Sequence, residues 1–448
     1  MSTTSPAARP EPLTAPSTRR AVFNTIRGSL GNLVEWYDVY IYTVFATYLQ
    51  ANFFAEGEPN AGIYTLAIFA VTFVMRPIGS WFFGRYADRH GRRPALVFSI
   101  SLMAGASLVI AITPTAETIG AGAVVLLVLC RLVQGFATGG EYGTSATYMS
   151  EAATQGRRGF FSSFQYVTLV GGHVLAQATL LVQQAFLTDE QITRFGWRIG
   201  FFIGAVSAVV VLFLRRSMDE TLQKDGEGAR RSGSMVELFT AYPKQLLVCF
   251  LVTLGGTIAF YTYSVNGPRI IKGVYADDGM TGTWINFIAL VLLMLMQPVG
   301  GYLSDRVGRR PLLIGFGVAG VLWTYTFLTL LPTVTSPVAS FLLITGTYVV
   351  LTGYTSINAV VKAELFPSHV RALGVGLGYA LANSMFGGTA PVIYEAAAEN
   401  DAESAFAVYV TVAIAVSLVV YAFVLQRTKN FLDGTPARPG QDLAASRS

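Results

Sequence analysis

Gly84-Arg85-Tyr86-Ala87-Asp88-Arg89-His90-Gly91-Arg92-Arg93-Pro94 and Gly301-Tyr302-Leu303-Ser304-Asp305-Arg306-Val307-Gly308-Arg309-Arg310-Pro311 are two copies of one pattern. Seven of the eleven positions are identical, at an offset of 217 residues. A weaker echo pairs Glu151 and Arg158 with Glu364 and Arg371, at an offset of 213. Two offsets this close predict a chain built twice over, one half following the other. Each copy of the charged pattern lies between long apolar stretches, so the next question is how many such stretches the chain holds.

The composition answers in kind. Of 448 residues, 52% are hydrophobic and only 13% charged, with mean hydropathy +0.51. Soluble domains carry about 25% charged residues, so the chain reads as a polytopic membrane protein. A membrane-crossing helix takes about 20 apolar residues. Runs of that length fall at roughly 29–50, 63–83, 95–113, 121–147, 160–186 and 198–214, then at 245–267, 283–303, 311–331, 338–361, 372–394 and 405–425. The expected fold is all-α and integral to the membrane, with 12 transmembrane helices in two six-helix halves. The expected boundaries are a disordered N-terminal tail 1–27, an N-terminal half 28–214, a linker 215–243, a C-terminal half 244–426 and a C-terminal tail 427–448. Residues 1–20 hold Pro6, Pro10, Pro12 and Pro16 and no cleavable signal sequence.

Charge sets the expected orientation. With the N-terminus inside, 24 of the 31 Lys and Arg fall on the tails, the linker and the even-numbered connections, whereas only Arg194, Arg269 and Lys272 fall opposite. Positive residues stay cytoplasmic, so both termini and the linker are expected there, in a bacterial inner (plasma) membrane. The same distribution removes nucleic acid as the explanation of the net charge of +5.

Enzyme chemistry finds no foothold. Cys130 and Cys249 sit in apolar runs, and His90, His173 and His369 form no ligand spacing, so no catalytic residue, metal or cofactor is expected. No GxxxxGK[ST] loop is present for a nucleotide phosphate. The tails and linker are too short for a signalling domain.

The paired GxxxDRxGRR loops resemble the signature of the major facilitator superfamily, whose halves are parallel repeats. Gly31-Asn32-Leu33-Val34-Glu35-Trp36-Tyr37-Asp38, Arg76-Pro77-Ile78-Gly79 and Gly139-Gly140-Glu141-Tyr142-Gly143-Thr144-Ser145-Ala146-Thr147-Tyr148 are similar to its metabolite:proton symporter family. Within that family the likeness runs to α-ketoglutarate carriers through Phe164–Leu169, Lys362–Pro367 and Arg371–Leu377. One position departs, His173 standing after Gly171-Gly172 where the family pattern has a neutral glutamine. The resemblance spans about residues 28–425. It implies a secondary active transporter: proton-coupled symport of α-ketoglutarate or a related dicarboxylate by alternating access. Citrate, shikimate, or proline and betaine are alternative substrates, and facilitative exchange an alternative mode. The expected partners are a small carboxylate, protons and lipid, with the protein a monomer.

Ionisable groups inside a bilayer are costly and mark function or a partner. Arg131, Gln134, Thr138, Glu141 and Ser145 fall within about 80° of one another on a helix, and Asn32, Glu35, Asp38 and Tyr42 form a second polar stripe. Asp38 lies about 16 Å along the axis from Arg27, near mid-membrane. We expect Asp38, when deprotonated, to pair with Arg131 across the cavity, and when protonated to release Arg131 to a substrate carboxylate. A permanent structural salt bridge is the alternative. Glu35 and Glu141 are the further proton-coupling candidates. Arg76, about 18 Å into its span with no local carboxylate, reads as a substrate ligand. So do Tyr42, Gln165, Tyr166, Tyr261, Asn358 and Asn383 as polar groups at cavity depth. Lys362, near the end of its span, reads as a ligand, a gate or an interfacial anchor. The repeated loops read as gates: Asp88, Arg89, Arg92 and Arg93 in one, Asp305, Arg306, Arg309 and Arg310 in the other, seconded by Glu151, Arg158, Glu364 and Arg371.

Overall fold

A computed structural model of the chain describes residues 18–432 apart from 56, 91, 152, 154–155, 217–233, 277–278 and 429. Helices and turns make up the described residues, with no strand among them. Ten helical stretches are long and apolar enough to cross a membrane, from Ala61–Phe83 to Glu403–Arg427. The expected first and eleventh spans are helical but are not among those ten. Glu35 and Asp38 dilute the apolar run of the first, and the eleventh is divided into Arg371–Ala382 and Ala390–Ala398. The first helix, Thr18–Val44, also begins well inside the expected tail. Ala21, Val22, Phe23 and Ile26 carry the apolar period backward past the boundary set by continuous hydrophobicity.

Several helices are interrupted, and the interruptions have local causes. Arg76–His90 follows Ala61–Val74 after a break at Met75. Pro77 has no N–H to offer the Phe73 carbonyl four residues back, and Ser384, from the other half, donates its hydroxyl to that carbonyl instead. Ala121–Gly139 gives way to Glu141–Glu151 at Gly140, and Pro337–Thr355 to Asn358–Glu364 at Ser356-Ile357. Wide π turns at Thr262–Asn266 and Asn383–Gly387 precede Pro268 and Pro391. A π turn adds one residue and rotates the helix beyond it, and such turns gather at functional sites.

Glycines let backbones meet. A Cβ on Gly135 would lie 2.0 Å from the Thr72 carbonyl oxygen, and one on Gly139 2.2 Å from that of Arg76. Helix Ala121–Gly139 therefore touches the 61–90 helical run backbone to backbone. Between the halves, Gly143 meets the Ala372 carbonyl and Gly376 Cα at 2.4 and 2.7 Å from such a Cβ, and Gly301 meets the Gly159 carbonyl at 2.5 Å. These inter-half contacts lie at the end of the bundle that carries the 301–311 loop and helix Met235–Ala241, here called the linker face. At the opposite face a Cβ on Gly62 would sit 2.5 Å from a Glu395 carboxylate oxygen, and one on Gly388 would sit 2.6 Å from the Phe73 ring. The halves thus touch on both sides of the central residues. The longest contact runs between Arg158–Phe186 and Gly279–Val307.

Gly135 and Gly105 provide a matched test. Gly135→Ala must push Thr72 backbone aside, which costs about 1–3 kcal/mol or more, whereas Gly105 has nothing within 4 Å of an added Cβ. The expected result is an apparent unfolding temperature lowered by several degrees for Gly135→Ala and unchanged for Gly105→Ala, read by thermal melting of detergent-solubilised protein.

Candidate functional site

The interruptions carry the chemistry inward. Arg76 is the first residue after the break at Met75, Tyr142 the second of the helix after Gly140, and Lys362 lies on the short helix after Ile357. Tyr261 and Asn383 sit at the two π turns. All five are buried, with Arg76 3% and Lys362 0% exposed. Lys362 is therefore an interior cation, not an interfacial anchor. The chain break before it swings the short helix inward, which periodicity alone does not register.

Arg76 is held by rings. Its guanidinium carbon lies 4.1 Å from the Phe73 ring centroid and 5.0 Å from that of Trp36. Its Nε and Nη2 are buried with no hydrogen-bond partner among the described residues. The Tyr261 hydroxyl lies within electrostatic reach of Arg76, Tyr40 and Asn383. Asn383 accepts from Thr257 at 2.7 Å while its own amide nitrogen has no partner among the described residues. Lys362 is held the same way from the other half: its Nζ lies 4.4 Å from the Tyr379 centroid and 4.8 Å from that of Tyr142, and donates to the Tyr142 hydroxyl at 2.8 Å. Tyr142 in turn donates to Asn358 Oδ1 at 3.0 Å. Tyr379 faces both cations, stacked on Tyr142 at 3.5 Å and close enough to Arg76 to feel its charge. Neither cation forms an ion pair with a described residue. A buried guanidinium from one half and a buried ammonium from the other thus both lie among aromatic rings, and both act on Tyr379.

Tyr166 packs edge-on to Phe260, near Asn358. Gln165 instead braces the first helix. Its amide donates to Asn32 at 3.4 Å and accepts from Ser145 at 2.9 Å, and Asn32 donates to Thr168 at 2.6 Å.

The Asp38 group is separate. Asp38 accepts from the Ser107 hydroxyl and from Gln134 Nε2 at 2.5 Å, and Gln134 Oε1 accepts from Arg131 Nη1 at 2.9 Å. The direct pairing of Asp38 with Arg131 expected from the helical stripes is therefore not formed; Gln134 stands between them. The cluster lies inside the N-terminal half, where a Cβ on Gly204 would meet Asp38 at 3.1 Å. Arg131 is 0% exposed, its guanidinium 4.5 Å from the Tyr42 ring, and Tyr42 donates to the Thr65 carbonyl at 2.8 Å. Glu35 is buried near Tyr379. Glu141, also buried, lines a cleft of about 340 Å³ at the linker face together with Arg85, His369 and Met235. His173 is stacked flat on Tyr40 at 4.1 Å.

At the linker face, Asp305 accepts from the backbone N–H groups of Gly159 and Phe160 at 2.8 and 2.9 Å. These are unsatisfied donors at the start of helix Arg158–Phe186, where an anion also meets the positive end of the helix dipole. Arg309 braces Asp305 at 2.9 Å and reaches Glu364 at 3.5 Å. Arg158 feels Glu364, Arg309 and Arg371, and Arg371 donates to the Phe366 and Phe431 carbonyls. Two expected members take no part: Arg306 lies over Tyr302 at 4.6 Å and Arg310 donates to the Ala422 carbonyl at 2.5 Å. Arg306 is the residue after Asp305 on helix Gly279–Val307 and so points about 100° away from it, while helix Arg309–Leu330, starting directly after Gly308 at φ 93°, turns Arg309 inward and Arg310 outward. The side chains of Asp88, Arg89, Arg92, Arg93 and Glu151 lie outside the described residues.

Tyr142 and Tyr379 are the site residues that sequence reasoning missed. Tyr142 is adjacent to Glu141 on the recognised polar stripe, which is the signal that could have found it.

Comparison with known proteins agrees with this architecture. Residues 25–237 and 224–436 each match the sugar (and other) transporter family. An alpha-ketoglutarate permease of Escherichia coli K12 is 43% identical over 409 residues, covering 91% of this chain and 94% of the permease. A citrate-proton symporter of Klebsiella pneumoniae is 32% identical, covering 85% and 86%. The solved structure of a major facilitator superfamily proton:xylose symporter bound to 6-bromo-6-deoxy-D-glucose superposes with TM-score 0.76 at 18% identity, covering 91% of this chain and 97% of the symporter. That likeness establishes an all-helical major facilitator fold.

Replacing Asp305 with Asn keeps the shape and removes the charge. The closed linker face should weaken by about 1–2 kcal/mol. A cysteine introduced at Ser163, which packs against Gly301, should then react with a water-soluble maleimide several-fold faster than in the parent.

Proposed function

This chain belongs to the sugar (and other) transporter family, and from that membership we propose that it carries α-ketoglutarate or a closely related dicarboxylate into the cell in symport with protons. One observation supports the substrate class above the others: Arg76 from one half and Lys362 from the other are buried without a carboxylate partner among the described residues, and both act on Tyr379. An arginine fork takes one carboxylate bidentately and an ammonium takes the second as a point charge. A dicarboxylate would therefore be gripped by both halves at once, and Tyr166, Tyr261 and Asn383 would give its backbone a polar and aromatic lining.

The energetics call for protons. Each charge carried inward against an inside-negative potential costs about 2.3 kcal/mol per 100 mV, so a dianion alone is driven outward. Two protons make the cycle neutral and a third makes it potential-driven. Asp38 is the proposed principal proton carrier, with Glu35 and Glu141 as further candidates. Ionised, it accepts from Ser107 and Gln134 and so holds Gln134 toward Arg131. Protonated, it loses an acceptor position, Gln134 is free to turn, and Arg131 loses its anchor. The Asp38 state thereby biases the packing of the N-terminal half, a relay through an amide in place of direct competition for Arg131.

The proposed arrangement is twelve spans with both termini and the linker cytoplasmic, in a monomer in the bacterial inner membrane. Asp305 on the start of helix Arg158–Phe186 would then be the cytoplasmic gate, and Glu395 against Gly62, braced by Arg269 at 3.0 Å, its counterpart outside. Rocking of the halves alternately parts the two.

The test is uptake of labelled α-ketoglutarate by proteoliposomes, with an inward proton gradient and with that gradient collapsed by an uncoupler. Uptake should require the gradient. Arg76→Gln or Lys362→Gln should raise KM about 30-fold or more, since removing one partner of a buried charged contact costs about 2–5 kcal/mol. Uptake indifferent to the uncoupler would overturn symport, and uptake of citrate alone would overturn the substrate.

A further inference from the structure

The two halves differ in how they leave their cations. Arg76 has buried donors without acceptors among the described residues, whereas the Lys362 ammonium has one acceptor, and that acceptor is a neutral phenol from the other half of the molecule. Lys362, Asn358 and Tyr379 belong to the C-terminal half; Tyr142 belongs to helix Glu141–Glu151 of the N-terminal half. The phenol is aimed by its own donation to Asn358 at 3.0 Å, which turns its lone pairs toward Lys362 Nζ at 2.8 Å. Its ring is clamped flat on Tyr379 at 3.5 Å and 10°. Besides the Tyr142 and Tyr379 phenols, the titratable group acting on the Lys362 charge is the Cys249 thiol, and Lys362 forms no ion pair with a described carboxylate.

An ammonium has three N–H donors and no acceptor. Shut into an apolar interior with none of them satisfied, it costs several kcal/mol. A substrate carboxylate removes that cost, and so, in part, does the Tyr142 hydroxyl. The difference is that the hydroxyl reaches Lys362 only when the two halves are together.

Resting on the reading of Arg76 and Lys362 as carboxylate ligands, we propose that Tyr142 is a positioning residue whose hydroxyl stands in for the substrate carboxylate on Lys362, so that the halves close with no anion aboard. A symporter must make that unloaded transit once in every cycle of net uptake. Exchange of one substrate molecule for another never uses it, because the carrier crosses loaded in both directions. Tyr142 therefore acts on the return step and leaves the loaded step to the carboxylate itself.

Tyr142→Phe tests this, because it keeps the ring on Tyr379 and beneath the ammonium and removes only the hydroxyl. Two readouts are taken on the same proteoliposomes: net proton-driven uptake of labelled α-ketoglutarate into substrate-free vesicles, and exchange of external labelled for internal unlabelled α-ketoglutarate without a proton gradient. A hydrogen bond to a charged group is worth about 1.5–3 kcal/mol. Net uptake should therefore fall about tenfold or more, while exchange changes by no more than about threefold. Equal loss of both activities would assign Tyr142 a merely structural role and overturn the proposal, as would full retention of both. Wild-type vesicles showing neither activity would overturn the underlying substrate reading, a result distinct from any confined to the variants.

Discussion

The cost of holding a positive charge in an apolar interior governs this structure. An unpaired ion loses hydration that nothing in hydrocarbon replaces, yet Arg76, Arg131 and Lys362 all reside there. Each is stabilised without a described carboxylate in contact. Aromatic faces supply quadrupole attraction, worth about 2 kcal/mol or more where water is excluded: Phe73 and Trp36 for Arg76, Tyr42 for Arg131, Tyr142 and Tyr379 for Lys362. Rings tolerate a cation without neutralising it. A carboxylate in the same place would neutralise the charge outright.

Arg131 lies in the unbroken helix Ala121–Gly139, but Arg76 and Lys362 follow breaks in their helices, and irregular backbone at membrane depth must find partners inside the protein. The Phe73 carbonyl opposite Pro77 finds one in Ser384 of the other half. Asn266 reaches the Ala390 carbonyl at 3.4 Å, and Asn286 the Pro268 carbonyl at 3.0 Å. The breaks that precede Arg76 and Lys362 are thus among the places where helices lean on one another. Asp305 extends the same principle to the linker face, where the start of a helix takes the place of a matched arginine from the opposite half.

Much of this was legible in the chain, and the limits have physical reasons. The repeated loop announced two halves because similar sequence demands similar packing. Arg76, Asp38 and Arg131 stood out because charge in an apolar run has few innocent explanations. Helical angles placed Arg131 and Gln134 on one face, but could not reveal that Gln134 comes between Arg131 and Asp38, since that depends on how far two helices stand apart. The partnership of Lys362 with Tyr142 spans 220 positions and has no local signature. The loop repeat also made Arg306, Arg309 and Arg310 look equivalent. Helix phase turns Arg306 away from its neighbour Asp305, and the new helix after Gly308 brings Arg309 back to it while Arg310 faces outward.

The glycine contacts between the halves carry one more consequence. Where Gly143 meets Gly376 and Gly159 meets Gly301, two backbones touch with no side chains between them, so little apolar area is hidden and dispersion and weak Cα–H···O contacts supply the attraction. Adhesion of that kind is strong enough to keep water out and weak enough to release quickly. Any side chain at such a seam would meet backbone before the halves had closed and would hold them apart, so the closed form would be the one it penalises. The absence of a side chain there is what lets this face shut at all, and the seam works as a stop whose position is set by backbone, not by packing that could be tuned residue by residue.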